Sequence, residues 1–271
     1  MTSLRQTKSL AIFAAALALS APVAARAQIA VLSSTVEEKT AGPGEKYTGT
    51  ITISNPGAQP QVARIYQTDY HFSFDGTAHY DDPGTTPRSN APWITTQASR
   101  ISIPPNSEVS VPYSVVVPTG DSLRGTYWSL VMVEGSPVEP PASGTAKPAV
   151  AVGAVMRYAV QLATHIRNTG TRTVQFGAPE ATKDTKGIAL LDVNMTDTGE
   201  RAFRPTLWVE VYDAQGVLKA KAKQIRGLLY PGTSLHQHFE LGMLPPGTYK
   251  AVIFADTGED SVFATQYTIN Y

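Results

Sequence analysis

Apolar and polar residues alternate with a period of two along most of this chain, and that pattern restricts it to strands. Thr48-Gly49-Thr50-Ile51-Thr52-Ile53 alternates and stops at Asn55-Pro56-Gly57. Val109, Val111, Tyr113, Val115 and Val117 take every second position, and Tyr158, Val160, Leu162 and Ile166 share one face of 157–166. Similar runs cover 188–195, 207–212, 217–225, 235–241, 249–254 and 262–269. Successive side chains of a strand point to opposite faces, so such runs read as half-buried strands. Outside the first 27 residues no window carries a capped helical stripe. Asn168-Thr169-Gly170, Asp213-Ala214-Gln215-Gly216, Pro231-Gly232 and Pro246-Gly247 supply turn chemistry between the runs. Many short strands at this spacing indicate an all-β sandwich or barrel.

Residues 1–27 read as a secretory signal peptide. Arg5 and Lys8 precede an uncharged Ala-rich run, Leu10 to Leu19, and Ala25-Arg26-Ala27 places small residues before a cleavage point at Gln28. The apolar run is shorter than the ~20 residues of a spanning helix. The expected product is therefore periplasmic or secreted, with no membrane span after cleavage. Removing 1–27 takes away Arg5, Lys8 and Arg26 and no acid, which leaves 19 basic and 22 acidic residues, a net charge of −3. That balance argues against a nucleic-acid binder. The chain has no cysteine, so disulfides and thiolate chemistry are excluded and core packing must carry the fold.

The most biased stretch is 136–149, SPVEPPASGTAKPA, with four prolines. Read as an interdomain linker, it would leave the first part without a final strand. Read as a long loop, it makes Val150–Ile166 the last strand of domain one. The second reading gives an Ig-like β-sandwich over 28–168 and another over 169–271, the second near the usual size of roughly 100 residues.

IAVLSSTVEEKTAGPGEKYTGTITISNPGAQP resembles the opening of an envelope Ig-like domain, and AVMRYAVQLATHI is similar to the long last strand of the first domain of periplasmic fimbrial (PapD-like) chaperones. The same strand and VNMTDTGERAFRPTLWVEVYDAQG also resemble the two-domain proteins that accompany WxL cell-wall proteins. The chaperone resemblance implies a two-domain protein that lends a strand to an unfinished pilin subunit, with a basic pair anchoring the pilin carboxylate. Only Arg157 has a counterpart here, because the first strand, 29–36, carries no Arg or Lys.

Several residue groups invite chemistry. His236-Gln237-His238 puts two imidazoles on one strand face, which suits Cu, Ni or Zn, or a plain surface pair. His71 and His79 flank Phe74-Asp75-Gly76, a hairpin-turn signal. Asp197-Thr198-Gly199 and Asp256-Thr257-Gly258 repeat a tripeptide found in aspartic-protease loops, but each is followed by Glu, which fits a turn. Asp256, Glu259 and Asp260 could together hold Ca²⁺. Trp93, Trp128 and Trp208 suit a core or a sugar platform. No nucleophile elbow, P-loop, HExxH or GxGxxG is present.

The expectation is an exported, non-enzymatic, cofactor-free protein-binding or assembly protein. It would engage a pilin-like or surface protein of the cell envelope through the edge of the Val150–Ile166 strand, with Arg157, Tyr158, Val160 and Leu162 as the binding residues. The alternatives are an adhesion module for cell-wall polymer and an envelope metal binder using His236 and His238.

Overall fold

A computed structural model describes residues 29–136, 155–258 and 261–271. The expected signal peptide, residues 137–149 of the Pro-rich stretch and residues 150–154 of the expected last strand lie outside the described residues; the described strand begins at Arg157, after Val155 and Met156, which are not in a strand. In chain order the first unit contains β1 (Ala30–Val31), β2 (Val36–Ala41), β3 (Lys46–Asn55), β4 (Gln61–Phe72), β5 (Ala78–Asp81), β6 (Ile94–Thr96), β7 (Arg100–Ile103), β8 (Ser107–Val116), β9 (Thr126–Gly135) and β10 (Arg157–Ile166). The second contains β11 (Val174–Phe176), β12 (Glu180–Lys183), β13 (Ile188–Asp197), β14 (Thr206–Tyr212), β15 (Leu218–Ile225), β16 (Ser234–Met243), β17 (Thr248–Asp256) and β18 (Val262–Asn270). The one helical piece among the described residues is a single 3-10 turn, Ala91–Trp93. Among the described residues no helix is long and apolar enough to cross a membrane. The protein is all-β, built as two Ig-like sandwiches.

In the first sandwich, β1-β3-β8-β6 faces β2-β10-β9-β4-β5, with β7 added to β4. The alternating residues meet in between: Ile51, Ile53, Val111 and Val115 from one sheet pack with Ile65, Val131, Val133, Val160 and Leu162 from the other. Burying each such side chain contributes roughly 1.5–3 kcal/mol. In the second sandwich, β13 pairs with β11, β12 and β16 and faces β15-β14-β17-β18. Its core includes Leu191, Met195, Leu207, Val209, Phe239 and Ile253.

The opening strand differs from expectation. Residues 29–36 do not form one strand: β1 pairs antiparallel with β3, and β2 then pairs parallel with β10 in the opposite sheet. The chain crosses between sheets at Leu32–Thr35, where the Ser34 hydroxyl bonds both the amide and the carbonyl of Val36. A Ser that satisfies the local backbone lets the strand leave its ladder without orphaned groups. The crossing fixes where β2 begins, and so how much of β10 it covers.

Candidate functional site

β10 runs antiparallel to β9, with Arg157 opposite Glu134 and His165 opposite Thr126. Two hydrogen bonds set the direction in which its backbone points. Met156 accepts from the Gly135 amide, so the even-numbered residues face β9. Gln161 donates to the Thr35 carbonyl at 2.8 Å, so the odd-numbered residues face the other edge. Antiparallel pairing alternates in this way residue by residue. β2 covers that edge from Gln161 to Ile166. Among the described residues no backbone group pairs with the N–H or C=O of Arg157 or Ala159. Among the described residues the ladder is therefore uncovered over the first part of β10, and two exposed apolar residues, Val155 and Met156, lead into it.

The four residues expected to bind a partner fall on two faces. Val160 and Leu162 point into the core, 0% and 1% exposed, and Leu162 lies in the stretch that β2 covers. Their side chains hold the strand in place and do not reach its surface. Tyr158 packs at the margin of the same core, and its hydroxyl donates to the Ile29 carbonyl at 3.0 Å. Arg157 lies on the outer face, where its Nε donates to Glu134 Oε2 at 2.7 Å. Tyr66 donates to the same oxygen at 2.9 Å, and the Arg64 guanidinium sits 4.3 Å from the Tyr66 ring centre. Partial burial works to raise the Glu134 carboxyl, but the bonds from Tyr66 and Arg157 hold it below its ordinary value. Sequence reading missed Ala159, the small outer-face residue whose backbone is open. Strand alternation could have picked it out, had the β9 partner been known.

Beside the open edge the two sandwiches are locked together. Trp128 stacks on Tyr230, and the Tyr230 hydroxyl donates to Gln161 Oε1 at 2.8 Å. Burial pushes the Tyr230 phenol far up, so it stays a donor. A polar chain runs alongside. The Ala202 amide donates to Thr126 Oγ1, that hydroxyl meets His165 Nδ1 at 2.8 Å, His165 Nε2 lies 3.3 Å from Glu38, and Arg204 bonds the other Glu38 oxygen. The hydrogen bond with His165, helped by Arg204, holds the Glu38 carboxyl below its ordinary value. A groove of about 580 Å³ lies on the seam between Tyr70, Arg88 and Trp128 on one side and Asp197, Pro231 and Thr233 on the other.

The other sequence candidates have the following surroundings. His236 and His238 lie on the outer face of β16 and both bond Asp192 Oδ1 at 2.8 Å, while His236 Nδ1 meets Asn194 at 2.9 Å. Asp192 and Asn194 come from the paired strand β13, a juxtaposition invisible in the sequence. Among the described residues no three His, Asp or Glu donors are arranged to hold a metal ion. His71 and His79 stack across the β4–β5 hairpin, whose turn at Asp75-Gly76 forms as the sequence predicts. In both Asp-Thr-Gly segments the Asp carboxylate accepts from the Gly amide at 2.8 Å, a turn in each case. Glu259 and Asp260, expected as Ca²⁺ ligands, lie outside the described residues. Trp208 stacks flat against Phe254 at 4.8 Å, so the two rings cover each other's faces.

The fold is that of two Ig-like sandwiches, and beside their seam the start of β10 carries a strand edge that no described residue pairs. No protein-family model matches the sequence, and no curated protein matches it. Among solved structures the chain resembles fimbrial chaperones in fold. The class 5 fimbriae chaperone CfaA is 9% identical over 88% of this chain and 98% of that one, with a TM-score of 0.47. The Escherichia coli chaperone DraB is 13% identical over 89% and 95%, with a TM-score of 0.42. A chain of the CsuC–CsuE chaperone–tip adhesion subunit complex from the archaic Csu pili of Acinetobacter baumannii is 10% identical over 78% and 90%, with a TM-score of 0.44. Each likeness is one of fold.

Proposed function

We propose that this protein is an exported, non-enzymatic assembly protein of the cell envelope, chaperone-like in role, that binds an extended segment of a protein partner by adding it to the open edge of β10. The observation that carries this reading is the backbone of Arg157 and Ala159, which no described residue pairs, in a strand whose next residues are already covered by β2. A partner strand laid there continues the line of β2. Its backbone completes the ladder, and its alternate side chains meet the outer face at Arg157 and Ala159 or the core margin at Tyr158. Val160 and Leu162 act indirectly, by anchoring the strand so that its edge is rigid before the partner arrives. Val155 and Met156 extend the contact with apolar surface. An uncovered edge is an aggregation hazard that a protein keeps only with difficulty.

Ala159→Pro tests the reading. Proline there removes an N–H that faces outward, so the β9 ladder stays intact. The wild-type chain, immobilised and exposed to envelope extract, retains an envelope protein that the folded Ala159→Pro variant does not. Equal recovery by both would refute binding at this edge.

A further inference from the structure

The sheet β15-β14-β17-β18 ends in two edges of opposite character. β15 carries Lys219, Lys221 and Lys223, and its pairing with β14 shifts register after Val211. It also guards a neighbour: Gln224 and Arg226 donate to the carbonyls of His238 and His236 on β16. Lysines, bulges and side-chain covers are the usual ways of keeping an edge from pairing with another chain. β18 has neither lysines nor a bulge, and its one such side-chain bond, from the Tyr267 hydroxyl to the Gly177 carbonyl at 2.7 Å, leaves its own outward backbone uncovered. Its nine residues, VFATQYTIN, contain no charge and no proline, and they pair with β17 without a register shift.

Gly247 and Tyr271 exchange both backbone hydrogen bonds, so the odd-numbered residues of β18 face β17. The N–H and C=O groups of Val262, Ala264, Gln266, Thr268 and Asn270 therefore face outward, and among the described residues no backbone group pairs with them. We propose that this edge is a docking surface for β18 of a second copy of the chain, the two strands pairing antiparallel about Gln266.

The strand is complementary to itself in that register. Gln266 meets Gln266, Ala264 meets Thr268 and Val262 meets Asn270, which satisfies every outward group. Phe263 lies opposite Ile269 and Thr265 opposite Tyr267, aromatic and β-branched pairs of the kind that stabilise sheets. No like charges are brought together, and a two-fold axis through Gln266 closes the assembly as a dimer. The result is one continuous eight-stranded sheet. This edge lies in the second sandwich and is independent of the β10 edge.

Sedimentation equilibrium of the chain without residues 1–27, over a wide concentration range, tests the proposal. The wild type associates to a dimer. Gln266→Pro removes only an outward N–H and is monomeric, and Gln266→Lys, which opposes two ammonium groups, associates roughly tenfold more weakly. Ala159→Pro dimerises like the wild type. A wild type that stays monomeric at every concentration overturns the proposal. So does a dimer that survives both Gln266 substitutions or is lost with Ala159→Pro, the last result placing the contact at β10 instead.

Discussion

Trp128 of the first sandwich and Tyr230 of the second stack with ring centres 4.6 Å apart and planes 16° from parallel. Tyr230 is fully buried there although it belongs to neither main core. Its ring supplies packing across the seam, and its hydroxyl supplies a bond to Gln161 on β10. Tyr230→Phe removes the bond alone and should cost about 1–2 kcal/mol. Tyr230→Ala removes the stack as well and should cost about 3–5 kcal/mol. Calorimetry separates the two effects: the Phe variant keeps a single transition, and the Ala variant unfolds in two as the sandwiches uncouple.

Gly125, just before β9, has φ +70°, and a Cβ built on it would lie 1.8 Å from the Glu200 carbonyl oxygen. Gly170 packs against it from the connection between the sandwiches, with φ +81° and a built Cβ 2.5 Å from the Gly125 α-carbon. Here the two units touch backbone to backbone, and the Thr126 amide donates to Glu200 across the contact. Gly125→Ala should cost roughly 2–4 kcal/mol, because backbone has to move and the new residue is strained. The midpoint of chemical denaturation measures it. Gly76→Ala serves as a control, since that site also has positive φ but nothing within 4 Å.

Asn90 is fully buried and joins the last two strands of the first sandwich. Its amide donates to the Leu162 carbonyl at 2.9 Å and meets Thr164 Oγ1 at 3.0 Å, and its carbonyl accepts from Ser129 at 2.6 Å. Thr164 Oγ1 keeps its bond to the Tyr47 hydroxyl, so Asn90→Ala leaves mainly the buried Ser129 hydroxyl without a partner and should cost about 1–3 kcal/mol. Hydrogen exchange at the amides of β10 should quicken before the second sandwich is affected.

Asp197 sits on the interdomain groove with its carboxyl pushed up to about 7, chiefly by burial. One oxygen accepts from Gly199, and the other is buried without a hydrogen-bond partner. An unfolded aspartate titrates near its ordinary value of 3.8. Between those two values the folded state holds a proton that the unfolded state has lost. Stability should therefore fall as pH rises from about 4 to about 7 and level off above, at up to ~1.4 kcal/mol per pH unit. Asp197→Asn should flatten that slope. Urea denaturation at a series of pH values checks it, and equal slopes in variant and wild type would count against the assignment.

The sequence alone determined the strands and the all-β class, because side-chain alternation is a local property that each run carries in its own residues. Val109–Val117 shows this: every second side chain was apolar, and those at 111, 113, 115 and 117 are buried. The same pattern placed Tyr158, Val160 and Leu162 on one face of a strand, but it did not say which face met a core. That required β9 as a neighbour, and with it the side chains of Val160 and Leu162 turned inward and Ala159 became the open position. The split of 29–36 between two sheets was also illegible, since the turn at Ser34 matters only once β3 and β10 stand on opposite sides of it. Asp192 beside His236 and His238, Tyr230 over Trp128, and the differing edges of β15 and β18 were likewise set by tertiary structure. Pairing between strands joins residues distant in the chain, and an edge is open or closed only by reference to what lies next to it in space.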